Sequence, residues 1–280
     1  MAESLIYPTI VSLPLGYDCT IIPPVEQIGK RLVVAEAGIE LYFNVVREGG
    51  VVFEHSEALR FSNGALQGDM PSPFVWPDQS ELGVTNPAYL EMGVVPDGDR
   101  PVFRSKAVLG LYSIYSKPGK KSFFSDNAYK YGSPQVIGQI AEFGRYVDTY
   151  PVIDLDRRRD LGETIVLINP YKKAVIAQIR TYDGIESERL RVSPMSVRNF
   201  DLASLLLRER DEWRGHIQLF ANNRIISFNI KHSLNDPLII SDHEHLDPYR
   251  SDPTHMAAFR MLRNAAGRAL WPTMRRGPAS

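Results

Sequence analysis

Apolar and polar residues alternate in short runs along most of this chain. Between Ala174 and Thr181 one set, Ala174, Ile176, Gln178 and Arg180, interleaves with another, Val175, Ala177, Ile179 and Thr181. A period of two places each set on one face of a strand. Runs rich in β-branched and aromatic residues recur at Thr20 to Ile22, Arg31 to Ala35, Ile39 to Val46, Val51 to His55, Tyr89 to Val94, Val102 to Tyr115 and Lys121 to Phe124. They continue at Ile165 to Ile168, Glu188 to Val192, Ser196 to Asp201, His216 to Ala221, Ile225 to His232 and Leu238 to Ser241, and each run predicts a strand. Turn formers punctuate them, among them Glu48-Gly49-Gly50, Pro96-Asp97-Gly98-Asp99, Asn169-Pro170-Tyr171 and Asn235-Asp236-Pro237. Asp201 is placed to cap a helical turn over Leu202 to Leu207.

Short strands without long helices between them predict an all-β chain of antiparallel sandwiches. The order of strands around the short helical crossover resembles immunoglobulin and fibronectin sandwiches, in architecture alone. Val108 to Ser116, a turn, and Ser122 to Asp126 match Ile225 to Ser233, a turn, and Ile239 to Asp242. This weak repeat predicts two copies in tandem. Residues 1–150 form the first sandwich, with a proline-rich insertion at 64–88 and a linker at its end. Residues 151–245 form the second, and 246–280 a C-terminal extension. Two domains suit a chain of 280 residues.

Composition narrows the classes. Apolar residues make up 44% and charged residues 23% of the chain, which excludes disorder, collagen and a coiled coil. Lys plus Arg, at 32, nearly cancels Asp plus Glu, at 33, so no global field draws nucleic acid to the molecule. No apolar run reaches the roughly 20 residues of a membrane-spanning helix. The single cysteine, Cys19, permits no intrachain disulfide, and with no secretory leader in view the expected location is the cytoplasm. Phosphate loops, catalytic-serine elbows and zinc-protease helices are missing, which leans away from an enzyme.

Three groups of residues carry candidate chemistry. His232, His243, His245 and His255 crowd into one stretch, interleaved with Asp242, Glu244 and Asp247. His243 and His245 with His255 or an acid as third ligand would suit a divalent metal; alternatively the same groups anchor a polar loop. Phe74 and Trp76 in the proline-rich insertion are candidates for stacking on a sugar or polymer. Finally, Ser251-Asp252-Pro253 starts an amphipathic helix whose apolar face carries Met256, Phe259, Leu262, Ala266 and Leu270. Arg260, Arg263 and Arg268 border it, and no acid follows Thr254. Met256, Phe259, Arg260, Leu262, Arg263, Arg268 and Leu270 are therefore the expected partner-binding residues.

These observations favour a non-catalytic binding or assembly protein acting through protein–protein contacts, by self-association or by docking on a larger complex. A mononuclear-metal enzyme or sensor centred on His243 and His245, and a carbohydrate- or polymer-binding module, are the alternatives. No cofactor is implied other than that divalent metal.

Overall fold

The computed structural model describes residues 8–47, 50–79, 82, 87–98, 102–103, 109–119, 123–126, 130–131, 146–223 and 225–244. The chain is all-β and antiparallel, and it divides into two compact units, Met1–Gly132 and Ser133–Ser280. The boundary expected near residue 150 falls inside a strand of the second unit, Tyr146–Asp156. The charges of Asp154 to Asp160, which balance one another, gave the segment the look of a linker. A shift of register between Tyr150 and Ile153 accommodates Pro151, as bulges commonly do.

In unit 1 the strands are β1 (Thr9–Leu13), β2 (Asp18–Ile22), β3 (Glu36–Arg47), β4 (Gly50–Ser62), β5 (Ala65–Gln67), β6 (Phe74–Trp76), β7 (Ala88–Pro96), β8 (Tyr112–Ser116), β9 (Phe123–Asp126) and β10 (Lys130–Tyr131). They form a six-stranded sheet, β10-β1-β7-β3-β4-β5, and a four-stranded sheet, β6-β2-β8-β9. Val11, Leu41, Phe43, Val45, Leu90 and Met92 of the first sheet are buried, as are Cys19, Ile21 and Tyr115 of the second. The Tyr115 hydroxyl donates to the Ser12 carbonyl at 3.2 Å, tying one sheet to the other.

Two features of unit 1 differ from the sequence reading. A helix, α1 (Val25–Arg31), covers the start of the strand expected at Arg31 to Ala35. It follows Pro23 and Pro24 and buries Val25 and Ile28, a helical spacing too brief to stand out against the β pattern. Gly29 lets it approach the β4–β5 turn, since a Cβ there would collide with the Gly64 carbonyl oxygen. The segment read as an insertion, 64–88, contributes strands to both sheets. Asn63 and Gly64, with φ of 49° and 80°, form the tight turn that starts it.

Unit 2 contains β11 (Tyr146–Asp156), β12 (Leu161–Asn169), β13 (Val175–Thr181), β14 (Leu190–Val192), β15 (Ser196–Asp201), α2 (Ala203–Leu206), β16 (Glu212–Ala221), β17 (Ile226–Ser233) and β18 (Ile240–Glu244). The Asp201 carboxylate accepts from the N–H groups of Ala203 at 3.0 Å and Ser204 at 3.2 Å, starting α2 where the sequence placed it. All eight strands join in one sheet, yet β12 pairs with β17 on one edge and β15 on the other. Only Leu161 is left to meet Asp156 of β11. The sheet therefore folds at that corner into two layers, β14-β13-β16-β11 and β15-β12-β17-β18, and the Tyr150 hydroxyl crosses from one to the other to donate to Ser227 at 2.7 Å.

The alternation of β13 is realised with Val175, Ala177, Ile179 and Thr181 inward and Ile176, Gln178 and Arg180 half-buried outside. Ile165, Leu167, Ile179, Leu219, Ile226 and Phe228 are buried, and Ile176 is only half-buried. β12 and β17 bury both faces, Val166, Ile168 and Phe228 on one and Ile165 and Leu167 on the other. This is why they read as near-continuous apolar runs.

The order of pairing is the same in the two units. β1-β7-β3-β4 corresponds to β11-β16-β13-β14, and β6-β2-β8-β9 to β15-β12-β17-β18. In both, the second strand pairs with the fifth and the third with the sixth when β5 is left out, as in immunoglobulin sheets. An immunoglobulin order sets the first strand beside the second and the seventh beside the sixth. Here the first lies beside the sixth and the seventh beside the second.

Two outcomes follow for unit 2. Leu219→Ala, at a fully buried inward position, is expected to cost about 2–5 kcal/mol, measured by urea unfolding. Asp160 accepts from the Ser233 hydroxyl at 2.5 Å and the Asn235 N–H at 2.9 Å, which hold its pKa below the ordinary carboxylate value. Such a group contributes stability above its unfolded pKa of about 3.9, and the contribution is lost as pH falls through the lower folded value. Wild-type stability is thus expected to fall more steeply below about pH 4 than that of Asp160→Asn, in unfolding curves taken at stepped pH.

Candidate interaction surface

β4 lies at the edge of its sheet for most of its length. Gly50, Val51 and Phe53 to Ser62 pair with β3 on one side, Val52 being the extra residue of a bulge, and on the other side β5 covers only Arg60 to Ser62. From Gly50 to Leu59, alternate backbone N–H and C=O groups on that side face no strand among the described residues. The corresponding edge of unit 2 is β14, three residues long. Short edges are one way of preventing unwanted strand addition. β4 is thirteen residues long and carries a bulge at Val52, between the pairs Val46–Val51 and Val45–Phe53, and every residue from Val51 to Ser56 is exposed. Val51 is 42%, Val52 52% and Phe53 43% exposed.

An aromatic group backs this edge. The register of β3 with β4 sets Phe43 opposite His55 and Val45 opposite Phe53, all on the face turned to the four-stranded sheet. There β6 presents Phe74 and Trp76, held by pairing with Ile21 and Cys19 of β2. Phe43 and Phe74 stack with centroids 4.8 Å apart and planes 5° from parallel. The Phe53 ring lies 6.0 Å from Phe74 and 5.7 Å from Trp76, and His55 lies 6.2 Å from Phe74. Centroid separations in this range are favourable for tilted and offset rings. Val75 points the other way and is 56% exposed. The apolar part of the edge is thus Val51 to Phe53, and Phe53 and His55 are held by ring contacts on the inner face.

Beyond Phe53, β4 is largely polar, with Glu54, His55, Ser56, Glu57, Arg60 and Ser62. Glu54 projects to the opposite face, across from Asn44, and Ser56 follows it across from Tyr42. Cys19, beneath Trp76, is buried. Burial pushes its thiol far above the ordinary value, outweighing a hydrogen bond with Tyr115. It is an inert core residue.

The residues singled out in the sequence are scattered. Phe74 and Trp76 come together on β6, but at 8% and 9% exposure they lie under Phe53 and serve as its floor. His243 sits on β18 opposite Ile230, is buried, and stacks on Phe228 with centroids 4.9 Å apart. His245 and His255 lie outside the described residues, as do Met256, Phe259, Arg260, Leu262, Arg263, Arg268 and Leu270. Among the described residues no group of three or more His, Cys, Asp or Glu side chains is placed to hold a metal ion. No described helix is long and apolar enough to cross a membrane.

Val51, Val52 and Phe53 were visible in the sequence only as the start of a strand. The available signal was three consecutive apolar residues beside the Gly49-Gly50 turn, where a half-buried strand would alternate. Comparison with known protein families, with curated proteins and with solved structures finds no match for the chain. Its surface must be read from its own chemistry.

Val52→Lys, at an exposed position whose neighbours are solvent, is expected to change stability by no more than about 0.5 kcal/mol. Phe53→Ala removes two ring contacts and is expected to cost about 1–2 kcal/mol. Urea unfolding of the two variants beside wild type checks both values.

Proposed function

We propose that this chain is a non-catalytic binding or assembly protein that works through protein–protein contacts, with the β4 edge as its adhesive element. The observation that carries this reading is the contrast between equivalent edges: β14 is three residues long, whereas β4 is thirteen and exposes Val51, Val52 and Phe53. Strand addition uses such an edge directly. Backbone hydrogen bonds supply affinity, and alternate side chains supply specificity. Exposed apolar residues on a long edge are otherwise a hazard that folded proteins avoid.

In this reading the two units are tandem copies of one immunoglobulin-like sandwich whose first and seventh strands have exchanged layers. Their identical pairing order supports it. So does the sequence match of Val108 to Ser116 with Ile225 to Ser233, because β8 and β17 occupy the same place in that order. The C-terminal amphipathic segment supplies a second contact, with Met256, Phe259, Leu262 and Leu270 as an apolar anchor and Arg260, Arg263 and Arg268 as its rim.

Affinity capture with wild type and with Val52→Lys tests the role of the edge. A lysine on the edge blocks strand addition by placing a charge where the incoming strand must pack. Proteins retained by wild type, further copies of the chain included, are expected to be lost from a variant with an unchanged melting temperature. Equal retention by both would refute β4 as the binding element.

A further inference from the structure

The β4–β5 hairpin carries a chemically reactive pair at its tip. Its ladder closes at Ser62 and Ala65, leaving a loop of Asn63 and Gly64, both at positive φ. This is a type I′ turn, for which Asn-Gly is a preferred sequence. Asn63 is exposed, and the Gly64 N–H lies outside the ladder. No other asparagine in the chain is followed by glycine. Glycine matters here because, without a Cβ, its nitrogen can approach the side chain of the residue before it closely. Asn86 and Asn169 precede prolines, which have no N–H to react. Asn44, Asn199 and Asn229 lie inside strands, before Val45, Phe200 and Ile230.

We propose that Asn63 is a site of self-modification, at which the chain converts its own side-chain amide to an acid. The Gly64 nitrogen bonds to Cγ of Asn63 and gives up its proton. The bond from Cγ to Nδ2 breaks, and ammonia leaves with that proton. The product is a five-membered cyclic imide, which water opens at either of two C–N bonds. Breaking the new bond at Cγ leaves aspartate. Breaking the original peptide bond leaves an isoaspartyl link, in which the main chain runs through Cγ. Water is the only co-reactant, and nothing is oxidised or reduced.

The fold sets the rate. A type I′ turn holds ψ of its first residue at about +30°, which turns the Gly64 nitrogen away from the Asn63 side chain, so the hairpin must open before the imide can form. Two contacts oppose opening: the Asn63 N–H donates to the Ala35 carbonyl at 2.6 Å, and the backbones of Gly64 and Gly29 of α1 touch. On the other side of the balance, β5 is three residues long with Ala65 and Gln67 exposed, and such an element opens at less cost than the whole unit. When opening is fast relative to the chemistry, the rate follows the open fraction. The isoaspartyl product keeps the hairpin open. Its extra main-chain carbon no longer lets a two-residue turn set Ser62 opposite Ala65, so β5 parts from β4 and Gly64 from Gly29.

Peptide mapping of the full chain, incubated at mildly alkaline pH in oxygen-18 water, tests the proposal. Trypsin releases Phe61–Arg104, whose asparagines are Asn63 and the pre-proline Asn86. The folded protein is expected to gain the mass of an amide-to-acid change with one labelled oxygen at Asn63, sooner than at any other asparagine. The product is expected as two species of equal mass that separate on a reversed-phase column, and to form more slowly than in protein unfolded by urea. Asn63→Gly, which a type I′ turn accepts, is expected to abolish the change while leaving the melting temperature in place. In the isoaspartyl species, hydrogen exchange of the β5 amides is expected to be faster than in fresh protein. No conversion of folded protein while the unfolded chain converts fully would overturn the proposal. Conversion as fast in folded as in unfolded protein would overturn the control by the hairpin, and unchanged exchange in the isoaspartyl species would overturn the release of β5.

Discussion

A β-strand has two edges, and the second strand of each unit uses both within its own layer. β12 gives one edge to β17 and the other to β15, and β2 does the same with β8 and β6. Backbone N–H and C=O groups inside a sheet must be paired, so the strand preceding each of these has no free edge to join. It crosses to the opposite layer instead. β1 pairs with β7 and β11 with β16. The departure from an immunoglobulin order, the fold at the Asp156–Leu161 corner and the two-layered core all follow from that saturation.

Saturating the middle of a layer leaves its ends exposed. Each unit must finish its layers with edge strands, and the two units do so differently at the same place. β14 is cut to Leu190–Val192, while β4 continues over Gly50–Ser62. The longer strand is stabilised from behind, because Phe53 and His55 lie over Phe43, Phe74 and Trp76. The rings that close one end of the core of unit 1 also hold Phe53 and His55 of this edge in place.

The architecture was legible where one face of a strand is buried and the other solvated. β13 announces itself through Val175, Ala177 and Ile179, and β15 was located from Ser196 to Asp201 with the capping carboxylate at its end. Legibility failed where tertiary contacts outweigh local pattern. β11 did not stand out as a strand, and the bulge that absorbs Pro151 depends on the pairing of Tyr150 and Ile153 with β16. β6 is three residues among prolines, and it is a strand because β2 pairs with it. Phe74 and Trp76, singled out in the sequence as candidates for stacking on a ligand, lie on one strand and are largely buried against Phe53.

By itself the sequence determined the strand faces, the turns between them and the absence of any strong catalytic motif, because each is set by residue type over a few neighbouring positions. Tertiary structure alone decided which edges are paired and which are left open. Val51, Val52 and Phe53 look like the start of any half-buried strand until β5 is seen to stop at Arg60 and no described strand to follow beyond it. Edge exposure depends on partners distant in sequence, and a strand's own composition does not encode which partners those are.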